Sequence, residues 1–408
     1  MINVALLGHG VVGSGVAEIM TKSKESLSQK IKQDIELKYI LDLRSFDNLP
    51  YSNKFIKDFN IILNDDSVKI VVEVIGGLHP SFDFVKACLE KGKSVVTSNK
   101  ELVAEKGYEL IKIANENNAN FLFEASVGGA IPIIRPLTQC LLANEIEEVY
   151  GILNGTTNYI LNKMIVDKMD FDSALKLAQE NGYAERNPAS DIEGTDACRK
   201  ICILASLAFG KHVYPAQVKT KGITDITLDD IAYADKFNSV IKLIARAKRE
   251  PGGKISAEVS PALIDKSAII SNVDGVFNAV VVNGDSCDDI MFYGRGAGKM
   301  PTASAVVADV LDCAKHLDAR KYLSWDDAED NYIIETTKPV RFYVLAKAKD
   351  YEALKQSFES EFKGISSCVY NTDKNEIAFI TDFGKADELN SKLSRLKCDS
   401  LKTIYKMI

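Results

Sequence analysis

The sequence predicts an α/β chain in three parts: a parallel sheet at the amino end, an α+β middle, and a small α+β tail. Three observations carry that expectation. Apolar strand-like runs alternate with helical periodicity over the first third, beginning with Ile2–Leu7. The first run leads straight into a glycine-rich turn and a helix. From Lys338 onward the pattern reads strand, helix, strand, strand, helix, strand.

The turn is Gly8-His9-Gly10-Val11-Val12-Gly13, with helical spacing of Val16, Ile19 and Met20 behind it. G-x-G-x-x-G between a strand and a helix is the dinucleotide-binding arrangement of a Rossmann-type sheet. The first glycine allows the tight turn, the second a close approach of backbone to pyrophosphate, and the third the packing of helix on strand. The competing reading is a strand–helix turn without a ligand. His9 lies along this loop and is not assigned to catalysis. After a single long helix expected over Thr21–Asp34, strand Glu36–Leu41 ends in Asp42-Leu43-Arg44. An acid there takes ribose hydroxyls. Arg44 suits a 2′-phosphate that Asp42 would repel, so these residues favour NAD slightly over NADP.

Strand Val68–Ile75 ends in Gly76-Gly77, helix Phe82–Lys91 follows, and strand Ser94–Thr97 stops at Ser98-Asn99-Lys100. Open α/β sheets bind ligands at such strand ends, which makes Ser98 and Lys100 candidate cofactor contacts. Lys100 precedes the helix Glu101–Lys106, at the end where a cation is unfavourable. That favours a functional reason over a merely exposed lysine. Strand Asn120–Glu124 leads into the turn Ala125–Pro132, where the first domain ends. The carbonyls of this turn, beside Glu124, suit a monovalent cation; a plain strand–helix turn fits equally well.

In the middle, helix Ile133–Leu142 and strand Glu148–Leu153 lead to Asn154-Gly155-Thr156-Thr157-Asn158 and helix Tyr159–Lys168. This turn offers amides and hydroxyls to a carboxylate, although the same residues are ordinary N-caps. After helix Phe171–Asn181 comes Gly182–Lys200, which packs Glu185, Asp191, Glu193, Asp196, Arg199 and Lys200 against the apolar run from Ile201. Asp196 and Lys200 share one helix face. Either they form a solvated pair or they converge on a polar ligand. Helices Ile201–Phe209 and Thr227–Leu243 and strands Lys254–Pro261, Gly275–Asn283 and Ile290–Tyr293 follow. A second glycine-rich turn, Gly294–Gly298, then opens helix Ala305–Cys313.

Composition narrows the function classes. A net charge of −7 gives no electrostatic case for nucleic acid or an anionic membrane. No apolar run approaches the ~18 residues that span a bilayer. Eight scattered cysteines without a C-x-x-C pair suit reduced thiols in the cytoplasm. The four histidines, at 9, 79, 212 and 316, have no metal-ligand spacing, so lysine is the available acid–base group.

GHGVVGSG, TSNKELVA, FEASVGGAIPII, GILNGTTNYIL, GYAERNPASDIEGTDACRK and GRGAGKMPTASAVVAD, taken in order, resemble the homoserine dehydrogenase family over about residues 1–325. The resemblance implies NAD(P)-linked interconversion of L-homoserine and L-aspartate 4-semialdehyde in threonine and methionine biosynthesis, by a homodimer or higher homo-oligomer. It implies Lys200 as proton donor and Lys100 as a second active-site lysine. Glu185, Asp191, Asp196, Gly155 and Thr156 become substrate residues, and Gly298 a cofactor contact. Glu124 with the backbone of Val127, Gly129 and Ile131 becomes a sodium site. The implied domains are 1–128, completed by 304–325, for the dinucleotide; 129–303 for catalysis and dimerisation; and 338–408 for a ferredoxin-like tail that resembles an ACT domain. Two departures stand out. Leu41 occupies the position where many relatives carry arginine for a 2′-phosphate. Lys349-Asp350-Tyr351 replaces the Pro-Gly pair usual between the first strand and helix of an ACT domain, which puts threonine feedback in question. Rival readings are a non-catalytic nucleotide sensor and a dehydrogenase of another amino acid or semialdehyde.

Overall fold

The protein is described from a computed structural model, which covers residues 1–317, 319, 323–327 and 332–407. Residues 318 and 320–322 of the segment expected to complete the first domain lie outside the described residues. In chain order the elements begin with β1 (Ile2–Leu7), α1 (Val11–Lys22), α2 (Lys24–Ile31), β2 (Ile35–Leu41), β3 (Phe55–Ile56), α3 (Phe59–Leu63), β4 (Val68–Glu73), α4 (Ser81–Glu90), β5 (Ser94–Thr97), α5 (Lys100–Glu116) and β6 (Phe121–Leu122). Next come β7 (Ile146–Ile152), α6 (Gly155–Val166), α7 (Phe171–Glu180), α8 (Ala189–Ile192), α9 (Thr195–Phe209), β8 (Lys219–Thr220), α10 (Leu228–Lys236), β9 (Ser239–Glu250), β10 (Lys254–Asp265), β11 (Phe277–Gly284), β12 (Asp288–Arg295) and α11 (Lys299–Lys315). The chain closes with β13 (Phe342–Lys347), α12 (Tyr351–Glu361), β14 (Cys368–Asn371), β15 (Glu376–Ile380), α13 (Ala386–Leu393) and β16 (Ser400–Lys406).

Two compact units form. The first comprises Met1–Val149, Arg199–Val218 and Asn278–Tyr332. Its sheet runs β3-β2-β1-β4-β5-β6, and every pairing is parallel. β1 is buried along its whole length, as expected of a strand covered on both faces. Leu7 pairs with Leu41 on one side and Glu73 on the other. The order reverses between β1 and β4, which places the ligand crevice beyond the carboxyl ends of those strands.

The second unit comprises Tyr150–Cys198, Lys219–Phe277 and Ile333–Ile408. Its sheet contains β9-β10-β16-β13-β15-β14, with β8 beside β10. β9 and β10 form a long antiparallel hairpin from Ser239↔Asp265 to Glu250↔Lys254. β16 joins β10 in parallel at Ala262↔Tyr405 and Leu263↔Lys406. The tail has the β-α-β-β-α-β order read from the sequence, around a core that includes Val344, Leu354, Phe358, Phe379 and Leu389.

Three expected helices differ. The one over Thr21–Asp34 is broken at Ser23 into α1 and α2 and stops at Lys32, a left-handed C-cap with φ 55°. Ile133–Leu142 narrows to a π-type turn over Pro136–Cys140, closed by the Leu141 amide on the Pro136 carbonyl at 2.9 Å. The helix over Thr227–Leu243 ends at Lys236. Asn238 turns at φ 50°, and Ser239–Leu243 begins β9 instead. Val240-Ile241-Lys242-Leu243 is apolar enough for either state, and pairing with β10 decides it.

Candidate functional site

In the first unit, the chain turns at Gly8 with φ 96°. A Cβ there would meet Val74 and Ile75 at 3.1–3.2 Å, so this loop presses on the segment after β4. A Cβ on Gly13 would lie 2.0 Å from the Gly8 carbonyl oxygen, which admits only glycine. At Gly10 the Cβ position has no atom within 4 Å. Val11 beside it is exposed, and the α1 N-terminus has no side-chain cap. Open space in front of uncapped amides suits a pyrophosphate, so Gly8, Gly10, Val11, Val12 and Gly13 fit the expected group.

Asp42, just past β2, is already engaged by its own chain. It accepts the His9 amide at 2.8 Å and the Arg44 amide at 3.0 Å, and Arg44 Nε and Nη2 bind its two oxygens at 2.9 Å each. Arg44 Nη2 also donates to the His9 carbonyl at 3.0 Å. The guanidinium holds the Asp42 carboxyl far below the usual carboxylate range. The His9 ring is buried edge-on against Phe46, Tyr51 and Phe55, and burial lowers its pKa.

At the end of β5, the Ser98 amide donates to the Glu73 carbonyl at 3.4 Å. Asn99 accepts the Leu102 amide at 3.1 Å and so caps α5, whose first residue is Lys100. Arg199 donates to Glu101 at 2.7 Å, which ties α9 to the start of α5 next to both Lys100 and Lys200.

The turn after β6 folds around Glu124. Its buried carboxylate accepts the amides of Ile133, Ile134 and Arg135 at 2.7–2.8 Å. Gly129, at φ 56°, packs on the second glycine-rich turn, where a Cβ would lie 2.6 Å from the Gly296 carbonyl. Gly298, at φ 123°, starts α11. The carbonyls of Val127, Gly129 and Ile131 accept no hydrogen bond among the described residues. The Arg135 guanidinium adds a charged contact, with Nε 3.9 Å from Oε2, so both Glu124 oxygens are engaged.

In the second unit, Asn154 accepts the Thr157 amide at 2.9 Å and caps α6, which begins at Gly155. The other half of its amide donates to Asp191 at 2.7 Å and to Asp196 at 2.9 Å. One neutral side chain therefore holds two carboxylates at the turn before α6. Thr156 donates to the Tyr183 carbonyl at 2.6 Å, fixing the loop that carries Glu185. Glu185 itself is exposed and outside this cluster. Gly194, at φ 90°, packs against Thr220 and sets the start of α9, on which buried Asp196 and Lys200 stand one turn apart. Beneath α6, fully buried Asn158 donates to the carbonyls of Val273 and Phe277. Lys242 Nζ, on a residue only 1% exposed, donates to Asn158 at 3.2 Å, Val273 O at 2.7 Å and Asp274 at 3.1 Å.

In the sequence Asn154 reads either as an N-cap or as part of a turn that offers amides and hydroxyls to a carboxylate. Its second bonding half, and the role of Lys242, depend on neighbours far away in the chain. In the tail, the Lys349 amide donates to Asp399 at 2.6 Å and Asp350 caps α12 through the Ala353 amide.

Comparison with known proteins gives a consistent assignment. Residues 8–124 match the family model of the homoserine dehydrogenase NAD-binding domain, and residues 132–311 match that of homoserine dehydrogenase. A homoserine dehydrogenase from Synechocystis sp. is 44% identical over 76% of this chain and 73% of its own length. One from Bacillus subtilis is 41% identical over 78% and 73%. Among solved structures, a homoserine dehydrogenase from Thiobacillus denitrificans superposes with a TM-score of 0.90 at 33% identity, covering 100% of this chain and 98% of that one. A hyperthermophilic archaeal homoserine dehydrogenase in complex with NADPH gives 0.65 at 27%, covering 76% and 97%. The chain belongs to the homoserine dehydrogenase family and is an NAD(P)-dependent oxidoreductase with a Rossmann-type cofactor sheet.

Proposed function

We propose that the chain interconverts L-homoserine and L-aspartate 4-semialdehyde by hydride transfer, with lysine handling the proton, in threonine and methionine biosynthesis in the cytoplasm. The observation that carries the substrate assignment is the Asn154 amide drawing Asp191 and Asp196 together at the head of α6, with Lys200 one turn beyond Asp196 on α9. Two gathered carboxylates suit the substrate ammonium. Glu185, exposed and outside that pair, joins them in this reading when substrate binds. The nicotinamide supplies the hydride acceptor in the oxidative direction. Lys200 then takes the proton released as the alcohol becomes an aldehyde, and it returns that proton in the reverse direction.

The reading is tested by following NAD(P)H absorbance with homoserine, and separately with the semialdehyde, using both cofactors. Turnover is expected in both directions. Lys200→Met should lower kcat about 10²–10⁴-fold. No turnover with either substrate would remove the assignment.

Several finer parts belong to the same proposal. Residues 1–128 with 304–325 bind the cofactor, 129–303 form the catalytic and dimerisation domain, and 338–408 form the tail. Glu124 and the carbonyls of Val127, Gly129 and Ile131 hold sodium. Among the described residues no cluster of three or more His, Cys, Asp or Glu could hold a metal, so this site draws mainly on main-chain oxygens. Substrate and cofactor are the expected partners of a homo-oligomer. No described helix is long and apolar enough to cross a membrane. For the tail, the Lys349 amide already satisfied by Asp399 supports a structural role over threonine sensing.

A further inference from the structure

β4 ends on a carboxylate that the chemistry above does not use. Glu73 is 0% exposed. Its Oε1 accepts the amides of Ile75 at 2.8 Å and Gly76 at 3.2 Å and the Ser81 hydroxyl at 3.0 Å. Its Oε2 accepts the Thr97 hydroxyl at 2.6 Å. All four donors are neutral. A buried carboxylate without a cation is costly unless its acceptor positions are filled, and here four donors fill them.

Those donors sit on the two lips of the crevice beyond β1 and β4. One lip is the Val74–Ser81 segment, against which Gly8 and Gly13 pack. The other starts at Thr97, whose oxygen also accepts the Asn99 amide at 2.9 Å. Asn99 reaches back to the Gly77 carbonyl at 2.7 Å while it caps α5 at Lys100. A single carboxylate thus fixes the spacing between the glycine pair after β4 and the lysine after β5. Bonds from amides to a charged acceptor are about twice as strong as neutral ones, which suits a post that must not yield when a ligand enters.

We propose that Glu73 is a positioning residue for the nicotinamide end of the cofactor: it sets the Ile75–Gly77 turn and the start of α5 as one rigid frame, and its charge favours the cationic, oxidised ring over the reduced one. The inference rests on the reading that this crevice takes the cofactor and that Lys100 faces the reaction.

The test compares purified Glu73→Gln with the parent. The measurements are thermal midpoint, kcat, KM for homoserine and for cofactor, and direct binding of oxidised and reduced cofactor by fluorescence. Glu73→Gln is expected to fold, to lose about tenfold in kcat through misplacement, to leave homoserine KM within about twofold, and to weaken oxidised cofactor several-fold more than reduced cofactor. A purely structural role would lower the midpoint and leave the oxidised-to-reduced binding ratio unchanged. That ratio unchanged, with kcat per folded enzyme near the parent's, would overturn the proposal. Should Glu73→Gln fail to fold, Thr97→Val and Ser81→Ala each remove one donor and keep the carboxylate. Both should lower kcat in the same direction, and two silent variants would overturn the proposal. Lys100→Met and Lys200→Met run in parallel. If those retain turnover, the lysine assignment fails, while the cofactor-binding ratio still judges Glu73 by itself.

Discussion

Four of the buried polar posts, two in each unit, differ in character. In the first, the posts are anions that collect amides: Glu73 holds the lips of the cofactor crevice, and Glu124 takes three consecutive amides of the Ile133–Arg135 turn. In the second, the posts are donors that collect oxygens: Asn154 gathers two carboxylates, and Lys242 gathers two carbonyl-type oxygens and Asp274. The difference follows from what each backbone leaves unpaired. Turns after parallel strands lead into helix N-termini and present amides, which an acid satisfies. The Val273–Phe277 segment presents carbonyls, which a lysine and an asparagine satisfy.

The contrast breaks most sharply at Lys242. Lys242→Met keeps the volume and removes the donor. It leaves the buried Asn158 and Val273 oxygens short of a donor, while Asp274 is exposed enough to be solvated, so the cost is that of neutral buried acceptors, about 1–3 kcal/mol. Denaturant unfolding should register that loss, and homoserine KM should rise because α6 carries Gly155 and Thr156. Glu124→Gln is the matched change in the first unit. Its amide would confront one of three backbone amides, at a cost of about 1–3 kcal/mol, with homoserine KM little affected. Equal effects on homoserine KM would erase the distinction between the two posts.

A smaller effect sharpens the comparison with a post that is neither anion nor cation. His212, 1% exposed, donates from Nε2 to the Ala104 carbonyl at 2.8 Å; its Nδ1 accepts Trp325 Nε1 at 2.9 Å and the Tyr108 amide at 3.3 Å. That arrangement requires the neutral ring, and burial lowers its pKa. The unfolded chain therefore binds a proton near pH 6.5 before the folded one does. This contribution is complete above that pH and is lost as pH falls below it. As pH falls below about 6.5 the unfolding free energy should fall with acid. His212→Asn, which keeps an acceptor in place of Nδ1, should flatten that slope. A parent and a variant with the same slope would remove the role.

Much of the frame is legible in the sequence because it is local. Ile2–Leu7 and the glycine turn specify strand, turn and helix within a few residues, and Asn99, Asp170 and Thr227 are caps by residue type. The posts are less legible because each depends on distant donors. Glu73 is one acid at a strand end until Ser81 and Thr97 arrive. Lys242 falls in a stretch whose apolar spacing suits a helix, and the pairing of β9 with β10 turns it inward instead. Asp42 shows the same limit: strand and acid are both legible, but the sequence reading sets Arg44 against Asp42 as rival claims, whereas the two side chains bind each other.

That last pair carries the smallest expected effect and bears on cofactor choice. With Arg44 across both oxygens of Asp42, the acid's charge is neutralised where a 2′-phosphate would approach, and the guanidinium, itself mostly exposed, can turn toward that phosphate. The sequence alone favours NAD slightly; the pairing favours a chain that takes NADP as well. Arg44→Ala unmasks Asp42. It should lower kcat/KM with NADP about tenfold while leaving NAD within about twofold, since an acid at this position accepts ribose hydroxyls and repels a phosphate. Steady-state rates with each cofactor at saturating homoserine measure the ratio. A variant whose NADP-to-NAD ratio matches the parent's would show that Arg44 serves the Asp42 turn and has no part in reading the 2′ position.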